Sequence, residues 1–306
     1  MGDETAEEVG KFRLPPAKQK KYGELNSETE RYMARIRAWI GKQNKYFLAG
    51  LLMTGLVLLL AVLSLFWTPY STTAMSPAER FAAPSFRHLF GTDNFGRDIF
   101  SRVMKGIGMT VVISSLIVLF SGAAGIVIGA LTGYFGGILD EVIMRITDAV
   151  NGFPSILLAL VVISVLGSGK QNLVLSLAIV FTPSFIRIVR SEFIRLRDAD
   201  YIVRARLMGV KKLRILFVHI LPNIFSVFWV SVTIGFNNAI LAESGMSYLG
   251  IGVQPPDASL GKMLSDAQGY LSRAPWYALS PGLTIVWIVL GFSLLSEGIR
   301  RKGEEK

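Results

Sequence analysis

The stretch FLAGLLMTGLVLLLAVLSLFW, residues 47–67, decides the fold of this chain, because its 21 residues carry no charge. A helix needs about 20 mainly apolar residues to cross the hydrocarbon core of a bilayer, which is roughly 30 Å thick. A helix that is apolar on every side can also be the core of a large soluble protein. One stretch alone would leave that alternative open, but the same pattern recurs along the chain.

Further charge-free stretches follow at intervals along the chain. One of them is short and reaches full length only if its helix continues past Arg187 and Arg190, whose long side chains can extend to the lipid headgroups. The five further predicted helices occupy residues 109–132, 149–169, 171–186, 220–242 and 274–296. The chain is therefore predicted to be an all-α, polytopic membrane protein with six transmembrane helices.

Composition excludes several classes of protein. Of the 306 residues, 51% are hydrophobic and 18% are charged, against about 25% charged in a typical soluble domain. With no cysteine and two histidines, the chain has no disulfide framework, no cysteine nucleophile and no histidine-rich metal site. We predict no catalytic residue, no metal site and no cofactor bound by the chain itself.

The basic residues are unevenly distributed between the two sides of the predicted bundle. With the N-terminus in the cytoplasm, 24 of the 32 lysines and arginines fall on the cytoplasmic side, as the positive-inside rule requires. The net charge of +10 thus reflects membrane orientation, and we predict no nucleic-acid binding. The pattern predicts a multi-pass membrane protein with both termini in the cytoplasm.

The same pattern divides the chain into segments. In the N-terminal tail, Ser27 and Glu30 have capping-box spacing and residues 32–40 have the pattern of a helix lying on the membrane surface. The predicted segments are a cytoplasmic tail at 1–46, the first helix at 47–67, an external loop at 68–105, a core at 106–297 with a cytoplasmic loop at 187–219, and a cytoplasmic tail at 298–306.

Two features of the predicted spans concern packing and energy coupling. Glycines at four-residue spacing favour close helix packing, and they occur at Gly125, Gly129, Gly133 and Gly137. A self-sufficient secondary carrier usually has ionisable residues at mid-membrane or inverted repeats. Acidic residues such as Glu243 fall at the ends of predicted helices, so this class of function remains only an alternative.

The cytoplasmic loop carries the most informative pattern. Asp198 or Asp200 can cap a short helix that Gly209 ends, and apolar residues lie between them. A short helix with apolar anchors suits docking into a groove on a partner. Alternatively, this segment is a turn that packs against the transmembrane helices of the same chain.

Four stretches resemble the second (C-type) permease of dipeptide, oligopeptide and nickel importers in the ATP-binding-cassette (ABC) superfamily, and together they cover most of the chain after residue 47. They are HLFGTDNFGRDIFSRVMKG at 88–106, GYFGGILDEVIMRITDAVNGFPSILLAL at 133–160, DADYIVRARLMGVKKLRILFVHILPN at 198–223 and AESGMSYLGIGVQPPDASLGKML at 242–264. The signature loop of that family has an acidic-Ala-Ala triplet before its glycine. Here Val203, Arg204 and Ala205 occupy the triplet, and only the last fits.

The resemblance implies a type I ABC importer permease fold and a non-catalytic subunit of an ATP-driven, binding-protein-dependent importer in a prokaryotic plasma (inner) membrane. Di- and oligopeptides are the expected cargo, with nickel complexes or oligosaccharides as alternatives in the same family. The implied partners are a second permease in a heterodimer, two ATPase subunits that hold ATP and magnesium, an external substrate-binding protein, and the lipid membrane.

The resemblance also assigns roles to particular residues. The helix around 198–215 is expected to couple to the ATPase subunits through Asp200, Tyr201, Ala205, Arg206, Leu207, Met208 and Gly209, with Leu221 and Pro222 at the exit of the loop. In the external loop, a structural motif is expected at Asp93, Gly96, Arg97 and Asp98, in which the three charged residues form a network. Asn237 and Asn238 either line the pathway or tie helices together.

Overall fold

The computed structural model describes residues 44–304, and this part of the chain is almost entirely helical. The predicted membrane-surface helix falls on residues 1–43, outside the described part. The described helices are α1 (Lys45–Phe66), α2 (Ile99–Phe135), α3 (Gly137–Asn151), α4 (Ser155–Leu166), α5 (Lys170–Arg197), α6 (Asp200–Leu207), α7 (Lys212–Tyr248), α8 (Leu260–Ala267) and α9 (Pro275–Glu304).

Five of these helices, α1, α2, α5, α7 and α9, are long and apolar enough to cross a membrane. Helices α3 and α4 meet the same criterion only together, and they are bent by 96° at the break between them. The all-α membrane architecture is therefore confirmed, with a sixth span only if the bent pair counts as one.

The prediction of one straight helix over residues 149–169 is wrong. Helix α3 ends at Asn151, and α4 begins at Ser155 and has 12 residues, about 18 Å of helix. Pro154 lies in the break; proline has no amide hydrogen and disfavours the helical conformation in the residue before it. The residues of the break are uncharged, so the break does not interrupt the charge-free stretch from which the helix was predicted.

Several helices also extend beyond their predicted bounds. Helix α2 begins inside the predicted external loop 68–105, and α9 continues past residue 297 into the predicted tail. Helix α5 runs to Arg197 and α7 begins at Lys212, so only residues 198–211 of the predicted loop 187–219 lie outside these two helices. Charged side chains do not stop a helix where it leaves the lipid, because its backbone bonds remain internal.

The glycine stripe of α2 packs against α5. A β-carbon built on Gly125, Gly129 or Gly133 would lie between 2.3 and 2.7 Å from atoms of α5, too close for any side chain. The packing prediction is confirmed for these three glycines. It is wrong for Gly137, which has no described atom within 4 Å of that position.

Two apolar clusters form the core. The larger one joins parts of α1, α2, α5, α7 and α9, and it also includes residues of α4 and α8. The second cluster lies where α2 and α5 end and α7 begins, and it also holds α6; its buried members are Ala130, Val189, Phe193, Ile202, Ile215, Leu216, Ile220 and Ile224. We call this the α6 end of the molecule, and the end that carries residues 67–98 and 249–274 the loop end.

Candidate functional site

Helix α6 follows α5 after a two-residue connection. It begins at Asp200 with Ala199 as its N-cap, and in this described segment no side chain caps it. The expectation that Asp198 or Asp200 would cap the helix is therefore wrong. Asp200 is exposed in the first turn, where its negative charge is favourable beside the helix N-terminus.

One face of α6 is buried against the bundle. Ile202 is completely buried in the second cluster, and Ala205, one turn later, is also buried. The spacing of three residues places both on the same side of the helix. Ala205, predicted as a residue that contacts a partner, instead anchors the helix to its own chain.

The C-terminus of α6 has a Schellman geometry. The amide of Val210 donates to the carbonyl of Ala205 at 3.1 Å, and the amide of Gly209 donates to the carbonyl of Arg206 at 3.0 Å. Gly209 has φ = 76°, while no described atom lies within 4 Å of its missing β-carbon. The backbone conformation, and no steric contact, therefore requires glycine here.

The other face of α6 is exposed and partly apolar. The relative exposure of Leu207 is 82% and that of Met208 is 77%, and Tyr201 is exposed as well. Arg206 donates through Nη2 to the carbonyl of Arg197 at 3.3 Å. We call Leu207, Met208 and Gly209 the tip of α6, because these residues project from the bundle with little cover.

Leu221 and Pro222 do not mark the exit from a loop, as predicted, because both lie within α7. Residues Ile215–Ile220 form a π-helical segment just before them, in which the amide of Leu221 donates to the carbonyl of Leu216, five residues earlier. Pro222 has no amide hydrogen to continue the ordinary four-residue bonding. The wide turn therefore lies next to the proline, between α6 and the long straight part of α7.

At the loop end, Asp93 is fully buried and organises a tight turn. Its carboxylate accepts hydrogen bonds from the amides of Phe95 and Arg97 at 2.8 and 2.9 Å, and from Arg97 Nε at 2.6 Å. Gly96 lies within this turn with φ = 75°, and a β-carbon there would lie 1.9 Å from the carbonyl oxygen of Ser76. Glycine is thus required for both its conformation and its size.

Asp98 belongs to a separate group of contacts. One carboxylate oxygen accepts from the amide and hydroxyl of Ser101, at 2.8 and 2.7 Å, and so caps α2. The other lies 2.9 Å from Nδ1 of His88. The predicted single network of Asp93, Arg97 and Asp98 is therefore divided into two parts, one at the turn and one at the helix N-terminus.

Sequence reasoning missed two buried ionisable residues. Arg102, in the first turns of α2, has a side chain only 5% exposed, with Nε 3.6 Å from the carboxylate of Asp93. Glu243 lies near the end of α7, which is Tyr248, but is completely buried and accepts hydrogen bonds from Thr110 and Ser247, each at 2.8 Å. The pairing could not be read from the chain, because Thr110 and Glu243 are 133 residues apart.

The two asparagines of α7 differ in their surroundings. Asn237 donates through Nδ2 to the hydroxyl of Ser293 at 2.9 Å and so joins α7 to α9. Asn238 is exposed and lines a groove between α5 and α7 together with Ser184 and Ser231. The prediction that the two asparagines tie helices together thus holds for the side chain of Asn237, whereas Asn238 has an exposed side chain.

Comparison with known proteins places these features in a family. The profile of the binding-protein-dependent transport system inner membrane component matches residues 125–302. The chain is 40% identical over 259 residues to the dipeptide transport system permease protein DppC of Alkalihalophilus pseudofirmus, covering 85% of each chain. It is 37% identical over 265 residues to the DppC of Haemophilus influenzae, covering 85% of this chain and 90% of that one.

A solved structure has the same fold. The chain matches a chain of the MetNI methionine ABC transporter in an inward-facing conformation with a TM-score of 0.55 and 18% identity, over 66% of this chain and 95% of that chain. This likeness shows that the described helices have the arrangement of an ABC importer permease. Since the family profile covers more than half of the sequence, the chain belongs to the binding-protein-dependent transport system inner membrane components.

Proposed function

We propose that this chain is a permease subunit of an ATP-driven importer of di- and oligopeptides, and that α6 couples it to an ATPase subunit. The cargo is inferred from the relatives, several of which carry the name of peptide or dipeptide permeases. The observation that carries the coupling role is the two-sided character of α6. It is anchored by Ile202 and Ala205 and leaves an apolar tip uncovered.

The geometry of α6 suits a mechanical role. A coupling element must be short and fixed to the helices that it moves, since a flexible tether would absorb the displacement. Helix α6 has eight residues, and its buried face belongs to the same apolar cluster as the ends of α2 and α5 and the start of α7. A displacement of the tip therefore acts on three long helices at once.

A second permease would cover the break between α3 and α4. Residues 151–157 are exposed in the single chain, and α4 is too short to cross a bilayer alone. Irregular backbone is tolerated at membrane depth only where protein or a water-filled cavity covers it. A partner permease beside this break would cover the irregular backbone with protein. The pathway between the two subunits would be the water-filled cavity.

The proposed orientation places α6 in the cytoplasm and the loop end outside. The connection that contains α6 carries Arg204, Arg206 and Lys211, in agreement with the positive-inside rule. An external binding protein would then meet the loop end, and ATP and magnesium would bind to the ATPase subunits. In this arrangement the permease itself performs no catalysis.

Replacing Gly209 tests the coupling role. Gly209→Val forces a β-branched side chain into a conformation with positive φ, which should displace the tip of α6. We expect the purified chain to insert into membranes normally but to lose most of its co-purifying ATPase subunits. Peptide-stimulated ATP hydrolysis by the reconstituted complex should fall to its basal rate.

Gly250→Val is the matched control. Gly250 also has positive φ, 83°, and no described atom within 4 Å of its missing β-carbon, but it lies at the loop end. This variant should retain its ATPase subunits. Normal stimulation in Gly209→Val would contradict the coupling role, whereas uptake of nickel complexes or oligosaccharides in place of peptides by the intact complex would contradict only the cargo.

A further inference from the structure

A pocket at the loop end lies outside the features used so far. It has a volume of about 660 Å³, within the usual range for small-molecule sites of about 300–1,000 Å³. It opens between residues 73–102 on one side and residues 255–270 on the other. The residues that line it include Met75, Phe95, Arg97, Arg102, Lys262 and Tyr270.

Most charged groups around the pocket already have partners. Lys262 Nζ lies 2.9 Å from the carboxylate of Asp266, and Asp257 lies 2.6 Å from Lys170 Nζ. The carboxylate of Asp93, behind the wall, accepts three hydrogen bonds from Phe95 and Arg97. Of these groups, Lys262 lines the pocket, and its ammonium group has three N–H donors, so the ion pair with Asp266 leaves it able to contact an anion.

Arg102 has the most unused hydrogen-bonding capacity of these groups. Its side chain is 5% exposed, and Nη1 donates to the carbonyl of Thr72 at 3.1 Å. Nε lies 3.6 Å from the carboxylate of Asp93, the counter-charge of Arg102, and makes no hydrogen bond among the described residues. A guanidinium carries five N–H donors, and a buried charge with unfilled donors is costly. An anion in the adjacent pocket, which Arg102 lines, would provide acceptors for donors of the guanidinium other than Nε.

We propose that this pocket binds the C-terminal carboxylate of a short peptide, with Arg102 as the primary anchor and Lys262 as a second cation. A carboxylate matches the fork of a guanidinium, and Met75, Phe95 and Tyr270 provide apolar surface for peptide side chains. The choice of a peptide rests on the proposed function. A free peptide enters the pocket whole, whereas an acidic side chain on a docking protein would have to reach a nearly buried arginine.

Binding is measured on the full membrane complex in nanodiscs, with no binding protein added, using radiolabelled alanylalanine and its C-terminal amide as probes. The acid should bind, and the amide should bind at least about ten-fold more weakly, since a hydrogen bond to a charged group contributes about a factor of 10–100. Arg102→Gln and Lys262→Gln should each weaken binding of the acid. Arg87→Gln, an exposed arginine outside the pocket, should leave it unchanged.

Three results would overturn the proposal: equal binding of acid and amide, no binding of either probe, or an unchanged affinity in Arg102→Gln. Loss of binding-protein association in that variant, without any peptide binding to the complex, would identify a docking surface and also overturn it. If the Arg102→Gln variant does not assemble into the complex, two other measurements test the proposal. They are the affinity of the Lys262→Gln complex for the acid, and the difference between acid and amide binding to the unchanged complex. Peptide uptake by the complete complex is measured separately, so that failure of the pocket and failure of the proposed function give different results.

Discussion

The two ends of the molecule are held by different kinds of contact. At the loop end, the buried carboxylates of Asp93, Asp98 and Glu243 accept several hydrogen bonds each. At the α6 end, α6 is held mainly by the apolar side chains of Ile202 and Ala205. Hydrogen bonds depend on distance and direction, whereas the hydrophobic effect has no direction.

This difference suits the ends to different tasks. The loop end keeps a fixed shape, because any displacement breaks bonds to buried charges that water cannot replace. The contacts of α6 itself are apolar and have no such directional requirement. In the proposed orientation, the more rigid end would be the external one and α6 would lie on the side of the ATPase subunits.

The largest effect is expected at the loop end. Asp93→Ala removes the acceptor of three hydrogen bonds and leaves Arg97 and Arg102 without their counter-charge, which should cost about 3–5 kcal/mol. Thermal unfolding of the detergent-purified chain measures the loss. Arg87→Gln, which removes an exposed ion pair with Glu79, should cost no more than about 1 kcal/mol. Equal losses in the two variants would refute the view that buried charges fix this end.

A smaller effect is expected at the α6 end. Ile202→Ala leaves a cavity in the second cluster and should lower the free energy of unfolding by about 2–4 kcal/mol. Leu207→Ala, at an exposed position, should change it by less than about 0.5 kcal/mol. Both variants should retain fewer ATPase subunits, but only Ile202→Ala should be less stable. Full retention in Leu207→Ala would mean that the tip does not contact the partner.

The smallest effect is expected between the two ends, in the glycine stripe that joins α2 to α5. In Gly129→Ala, the new methyl group would meet the carbonyl of Ile186 at 2.7 Å, and overpacking of this kind costs about 1–3 kcal/mol. Gly55→Ala, in α1 with no described atom within 4 Å, should be neutral or stabilise by up to about 1 kcal/mol. Thermal unfolding of both variants checks the contrast.

The sequence predicts those parts of the fold that depend on local chemistry. Uncharged stretches identify helices because lipid excludes charge, and Gly209 ends α6 because few residues other than glycine adopt its conformation. The break at Pro154 is not revealed by gaps between charged residues, because it involves no charge. It was nevertheless present in the sequence as a proline preceded by glycine and phenylalanine.

The buried polar contacts could not be predicted in the same way. Glu243 and Arg102 look like residues at the edges of membrane spans, and only the folded chain shows that both are buried. The partners of Glu243 include Thr110, on a different helix. The burial of Ala205 depends on how α6 packs against the rest of the folded chain, which the sequence of α6 alone does not determine.

The π-helical segment Ile215–Ile220 makes the start of α7 sensitive to chain length. Its hydrogen bonding spans five residues, one more than in an α-helix. Deleting one residue there would restore the ordinary spacing and turn the residues on one side of the deletion by about 100° around the axis of α7 relative to those on the other side. Ile215 and Ile224, which are buried in the same cluster, would then face different directions.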